Sequence, residues 1–215
     1  MKKGFTLAEV LITLGIIGVV AAITMPTLIG NYKKQVYYTQ FRKAATLIEQ
    51  AFKMYEVDNG CVGNILACKD DHFYAEDIMP YFNVAVKITD DNKEEICKKA
   101  LEKDPDYYAC DKDFEINPYA FITNDGILYN LATDLGAGDG SFIDTNGPNK
   151  GPNEYGRDLF IFYAPYNNYT IPQNQIVWGG NESKLNPNYE DGPCGENDEY
   201  WGCAAKLLSE GKMNY

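Results

Sequence analysis

The stretch MKKG, Met1–Gly4, followed by FTLAEVLITLGIIGVVAAITMPTLIG, Phe5–Gly30, decides how the rest of this chain is read. No charged residue stands between Val10 and Ile29. At about 1.5 Å of helix per residue, that run reaches about 30 Å, the thickness of a hydrocarbon core. Lys2 and Lys3 precede it, so the positive-inside rule keeps Met1 in the cytoplasm and sends the remainder across. A secretory signal would end at a small-residue cleavage site, which Ala21-Ala22 imitates. Here the apolar run passes straight into a further helical pattern, which favours retention.

Glu9 is the odd residue of the run. A carboxylate in lipid costs several kcal/mol unless it is paired or reaches the interface, so an intramembrane acid is a functional candidate by default. Four residues from Phe5, it also has the option of snorkelling to the headgroups. Gly4-Phe5-Thr6-Leu7-Ala8-Glu9-Val10-Leu11-Ile12 closely resembles the processing motif of type IV pilins and type II secretion pseudopilins. The resemblance covers Lys2 to Ile29 and implies a sequence of events. A prepilin peptidase cuts between Gly4 and Phe5 on the cytoplasmic side, Phe5 becomes N-methylated, and Glu9 becomes the fifth residue of the mature chain. Pro26 sits where that family has a helix-breaking proline.

Elementary chemistry agrees with these roles. The cut leaves a cationic amine at Phe5, and Glu9 of a neighbouring copy is its natural counter-ion. Desolvation opposes the Coulomb gain of such a pair, so it serves register more than stability. Pro26 removes one helical hydrogen bond, which predicts a kink or local melting there. Gly15 and Gly18 give a smooth face for close helix contact.

Beyond Gly30 the pattern changes. Tyr37, Phe41, Ala44, Ile48, Phe52 and Tyr55 recur every three or four residues, one face of an amphipathic helix. Lys33, Lys34, Arg42, Lys43, Glu49 and Lys53 mostly take the other face. Asp58-Asn59-Gly60 is a stop signal. Asp91-Asn92-Lys93-Glu94 looks like a capping box opening a short surface helix near 92–103, supported by Glu94/Lys98 and Glu95/Lys99. In Tyr119–Leu131, two alternating runs flank Asn124-Asp125-Gly126, a hairpin signal. Residues 141–144 and 158–163 read as further strands. The expected class is α+β: the long helix of a pilin fold packed on a small antiparallel sheet with disulfide-stapled loops. The expected parts are a leader (1–4), a transmembrane and assembly helix (5–30), an amphipathic helix (31–58) and a globular head (59–215).

Charge divides the 215 residues in the same place. Residues 1–58 carry a balance of +3 and the remainder −15, giving −12 overall. An acidic head gives no electrostatic reason to bind nucleic acid. The single histidine, His72, excludes a site built on several imidazoles, and no G-x-S-x-G, H-E-x-x-H or Walker pattern occurs. No enzyme is expected and no cofactor is required.

Six cysteines in an exported head read as disulfides, with fifteen possible connectivities. Neighbour pairing would join Cys61–Cys68, Cys97–Cys110 and Cys194–Cys203, each bridge adding about 2–3 kcal/mol. The last is the pairing that the resemblance supports, since pilin-like proteins often staple a C-terminal loop. Cys61, Cys68 and His72 also form a partial zinc set. The segment DTNGPNKGPNEYGRDLF, Asp144–Phe160, resembles a D-x-N-G…G-P-N…G-x-D-x-F stretch of pseudopilin-like proteins. Asp144, Asn146, Asn149, Asn153 and Asp158 on a glycine-rich loop offer hard oxygens that suit Ca²⁺, as major pseudopilins carry in C-terminal loops; equally, Asp and Asn cap turns through backbone N–H groups. Both readings stand at this level.

The functional expectation is a filament subunit, most readily a type II secretion pseudopilin. Its partners would be copies of itself, other pilin-like subunits, the prepilin peptidase, and an inner-membrane platform with its ATPase. The alternative is a minor pilin binding a ligand at a fibre tip, with Tyr163, Tyr166, Tyr169, Trp178 and Trp201 as an aromatic platform.

Overall fold

The computed structural model describes residues 4, 6–68, 75–103, 119–132, 135, 140–164, 176–179, 194 and 202–215. Two compact units divide the chain, Met1–Val36 and Tyr37–Tyr215.

Helix α1 spans Leu7–Asp58. Its residues up to Val36 belong to the first unit, and the large apolar side chains from Leu7 to Ile29 are exposed among the described residues: Leu7 is 80% exposed and Ile23 70%. At Pro26, where a kink or local melting is expected, the chain remains within the one helical element. A proline removes one N–H donor, and the intact hydrogen bonds of the flanking turns hold the helical backbone across the gap.

In the second unit α1 ends where the sequence signals it. Asn59 N–H bonds to Tyr55 O, and Gly60 takes a φ of +69° that a side chain would resist. The predicted stripe is the buried one: Phe41, Ala44, Ile48, Phe52 and Tyr55 are buried, joined by Ala45 and Ala51. Among the described residues six strands follow in a single antiparallel sheet whose spatial order is the chain order. They are β1 (Val84–Lys87), β2 (Ala120–Thr123), β3 (Leu128–Asn130), β4 (Gly140–Asp144), β5 (Leu159–Tyr163) and β6 (Val177–Trp178).

Strand alternation sends Phe121, Tyr129, Ile143, Phe160 and Phe162 into one core with the α1 stripe. Phe41 lies 4.3 Å from the Phe160 ring and 5.3 Å from Trp178, the latter edge-on. Tyr129, fully buried, donates its hydroxyl to Ala44 O at 3.0 Å. The opposite sheet face, Ala120, Leu128 and Leu159, makes a second small core with Ile88, Cys97 and Ala100. Past the short helix α2 (Ala75–Ile78), helices α3 (Lys93–Ile96) and α4 (Lys98–Lys103) supply part of that cover.

Two local expectations change. The surface helix near 92–103 is two short helices broken at Cys97, and the pairs Glu94/Lys98 and Glu95/Lys99 straddle the break. The residue at the cap is Asn92, which makes no side-chain bond to its helix and turns back, accepting from Thr89 N–H and donating to Lys87 O. The strands β1 and β6 and the helix α5 (Cys203–Glu210) carry no sequence expectation.

One ion pair joins the helix to the β2–β3 turn: Lys43 Nζ lies 2.6 Å from Asp125 Oδ2. Burial pushes the Asp125 carboxyl up, but the Lys43 ammonium and the Thr123 hydroxyl outweigh it and hold the group below the ordinary aspartate range. A depressed folded value gives stability that is present above the unfolded value and lost as pH falls through the folded one. Lys43 is more than half exposed, so solvent screens the pair. Lys43→Met is expected to cost about 0.2–1 kcal/mol near neutral pH in urea melts of the detergent-solubilised chain. That difference should shrink on acidification towards about pH 2. A loss that stays constant to that pH would assign the effect to the lysine stem instead of its charge.

Candidate functional site

Two sets of residues carry the chemistry that the sequence singles out: the first turn of α1, and the β4–β5 loop of the head.

At the first turn, Gly4 is exposed, and Phe5 lies outside the described residues. Thr6 and Glu9 form a reciprocal pair. Glu9 Oε2 accepts from Thr6 N–H at 2.8 Å and from the Thr6 hydroxyl at 2.8 Å, while Glu9 N–H donates to Thr6 Oγ1 at 3.3 Å. This is a capping box, which satisfies two of the four orphan N–H groups at a helix start and sets an anion at the positive end of the helix. Its signal, T-x-x-E, stands in the sequence at Thr6 and Glu9, where the processing motif overlies it and hides the cap. Pro26 lies inside the helix, remote in sequence from this turn.

In the head, Asp144 closes β4 and Asp158 precedes β5; both are fully buried. Asp144 Oδ1 accepts from Asn146 N–H at 3.1 Å and Gly147 N–H at 2.8 Å. Asp158 Oδ2 accepts from Asn153 N–H and Asn146 Nδ2, each at 3.0 Å, and Oδ1 from Glu154 N–H at 2.8 Å. Burial pushes the Asp158 carboxyl up, and these donors oppose it. Asn153 Nδ2 donates to Pro148 O, and Asn149 Nδ2 reaches Ile96 O of α3. Tyr215 donates its hydroxyl to Gly156 O at 2.7 Å. Gly147, at φ +85°, packs so closely that a Cβ would lie 2.6 Å from Gly126 O, which pins the loop to the β2–β3 turn.

Ca²⁺ takes about six to eight oxygens at roughly 2.3–2.6 Å, with carboxylates facing the ion. Here the Asp144 and Asp158 oxygens named above face N–H donors. The buried oxygens without a hydrogen-bond partner in this loop are neutral: Thr145 Oγ1, Asn146 Oδ1 and Asn153 Oδ1. No group of three or more His, Cys, Asp or Glu able to hold a metal occurs among the described residues. Asp144, Asn146 and Asp158, as they are held, cap the turns of this loop.

The cysteines are bridged. Cys61 joins Cys68 at the end of α1, and Cys194 joins Cys203 at the start of α5, with Cα separations of 5.2 and 4.6 Å. Cys97 is disulfide-bonded too, and Cys110 lies outside the described residues, as does His72. The bridge removes Cys61 and Cys68 as thiolate ligands, so the zinc set lapses. Of the aromatic platform, Trp178 is 5% exposed and belongs to the core against Phe41 and Phe162, while Tyr163 is half-buried. Tyr166, Tyr169 and Trp201 lie outside the described residues.

Chelator is expected to leave the thermal midpoint of the detergent-solubilised chain unchanged. Asp158→Ala, which strands buried N–H groups, should cost about 2–3 kcal/mol in the same melt. A midpoint that falls with chelator and recovers with added Ca²⁺ would overturn the turn-capping assignment.

Comparison with known proteins bears on the first of the two sets. Residues 1–25 match the family described as the prokaryotic N-terminal methylation motif. Over 61 residues the chain is 38% identical to the type II secretion system core protein G of Escherichia coli (strain K12). That stretch is 27% of this chain, and the chain spans 39% of the length of that relative. No solved structure matches significantly. The chain therefore carries the prepilin-type N-methylation motif, as a distant relative of a type II secretion pseudopilin, on a pilin-like α+β fold.

Proposed function

We propose that this chain is a structural, non-enzymatic subunit of a type IV pilus-like filament, and specifically a pseudopilin of a type II secretion system. The observation that carries the reading is the methylation motif at residues 1–25, placed at the head of a helix whose large apolar side chains from Leu7 to Ile29 are exposed. An apolar surface of that length needs lipid or other copies of itself. The helix has one window apolar enough to cross a membrane, with a mean hydropathy of 2.3.

In this reading the prepilin sits in the inner membrane as a single-pass protein with Met1 in the cytoplasm and the acidic head in the periplasm. Prepilin peptidase cuts between Gly4 and Phe5 and methylates the Phe5 amine. Glu9 of one copy then meets the amine of another as chains leave the bilayer, so two charges that lipid penalises become one internal pair. An assembly platform with its ATPase supplies the work, and the partners in the fibre are copies of this chain and other pilin-like subunits. Pro26 leaves Ala22 O without its helical donor, a weak point at which the helix can bend as copies pack.

The N-terminal peptide of membrane-extracted protein is expected to begin at Phe5 with one added methyl group, read by mass spectrometry. An intact Met1, or a cut near Ala22, would make this an anchored or exported protein and end the filament reading. Glu9→Ala should leave the cut in place and abolish polymerisation; a normal fibre yield from that variant would remove Glu9 from assembly.

A further inference from the structure

We infer that the C-terminal end of α1 is a docking surface for a second copy of this chain, which it takes at Ile29, Tyr32 and Lys33; the inference deepens the filament reading above and rests on it. Three of the four large apolar side chains exposed among the described residues of the second unit lie in one short stretch, Met54, Val57 and Val62. Val62, 73% exposed, is not on a loose turn. Cys61 N–H donates to Glu56 O at 3.0 Å, and Gly63 N–H donates to the buried Glu56 carboxylate at 3.0 Å. The Cys61–Cys68 bridge closes the loop that carries it. An apolar group held in the open at a fixed place serves an interface and gives a lone chain nothing.

Charge names the occupant. Met54, Val57 and Asp58 follow one another at i, i+3 and i+4, so they share one face of α1, and all three are exposed. Ile29, Tyr32 and Lys33 repeat that spacing and are exposed as well. The first triplet reads apolar, apolar, anion, and the second apolar, apolar, cation. Asp58 accepts the Tyr81 hydroxyl at 2.9 Å, and neither Asp58 nor Lys33 has an ion pair with a described residue. The two triplets stand about seven turns apart on one helix, so they meet only between chains. A fibre grown by repeated addition joins unlike surfaces, and every copy has to carry both members of the pair. Anionic headgroups, by contrast, would repel Asp58.

The test uses the full chain in its own membrane. Fibre yield is counted per processed chain, so an effect on insertion or on the peptidase does not enter. Asp58→Lys and Lys33→Asp should each lower the yield about fivefold, the upper range for an exposed charge pair. Combined in one chain, the exchanged charges should bring the yield back to within about twofold of the parent, because the loss belongs to the pair and not to either residue.

A second readout does not depend on charge. A photoreactive benzophenone amino acid in place of Val57, illuminated in assembled fibres, should cross-link to the segment Leu28–Val36 of another copy, read from the mass of the joined peptides. Capture of lipid, or of another part of the chain, with fibres present would overturn this inference alone. Single variants that assemble like the parent would overturn it too, as would a double variant no better than the two singles. No fibre from the parent chain would instead remove the filament reading, and the docking surface with it.

Discussion

The contact between the inner stripe of α1 and one face of the sheet is what the head is organised around. Alanines at 44, 45 and 51 let the helix approach the strands closely, and Phe41, Ile48, Phe52 and Tyr55 fill the spaces between them. Phe121, Tyr129, Ile143, Phe160 and Phe162 meet them from the sheet. Tyr129 needs a polar partner for its buried hydroxyl, and Ala44 O provides it at the helix surface. That bond fixes the helix along the sheet in a way that interchangeable apolar contacts do not. The Lys43–Asp125 pair and the Phe41–Trp178 edge contact lie on the same stretch of helix, so packing, one buried hydrogen bond and one ion pair agree on a single register.

Most of that framework is legible in the order of residues alone. The 3.6-residue period of Tyr37 to Tyr55 announces a helix with one buried face, and Asp58-Asn59-Gly60 marks the point where it ends. The Asn124-Asp125-Gly126 turn places β2 and β3 correctly, because a positive φ at Gly126 and alternating flanks admit few other folds. β1 escapes since an edge strand with three exposed residues lacks the apolar alternation that marks half-buried ones. β6 has two residues, too few for any period to show. The helix α5 has one usable sign, Gly211, whose left-handed backbone and bond to Leu207 O close its end.

The site is legible in a different sense. The family motif identifies Gly4, Phe5 and Glu9 by likeness, while the physical link between Thr6 and Glu9 follows from spacing alone and emerges once the helix start is fixed. In the β4–β5 loop, composition does not separate a metal cage from a self-capped turn, since Asp and Asn serve both. The structure adds direction: the carboxylates here are aimed at N–H groups of the turn, and the asparagines at 146 and 153 tie its two ends together. The loop then takes the firmness of a short structured element, anchored to Gly126 on one side and Tyr215 on the other.

The sheet's order in space repeats its order along the chain, each strand lying beside its sequence neighbour. Apart from the long connection between Lys87 and Ala120, such a meander closes its loops over short stretches of chain, and short loops close quickly. For a polypeptide threaded through a membrane pore, that order allows strand pairing to proceed as successive segments emerge, without waiting for a distant partner. The contact of α1 with the sheet spans a far greater length of sequence, Phe41 meeting Trp178. On the filament reading proposed above it is made by a helix already tethered in the membrane, and tethering turns that slow encounter into an intramolecular search of short range.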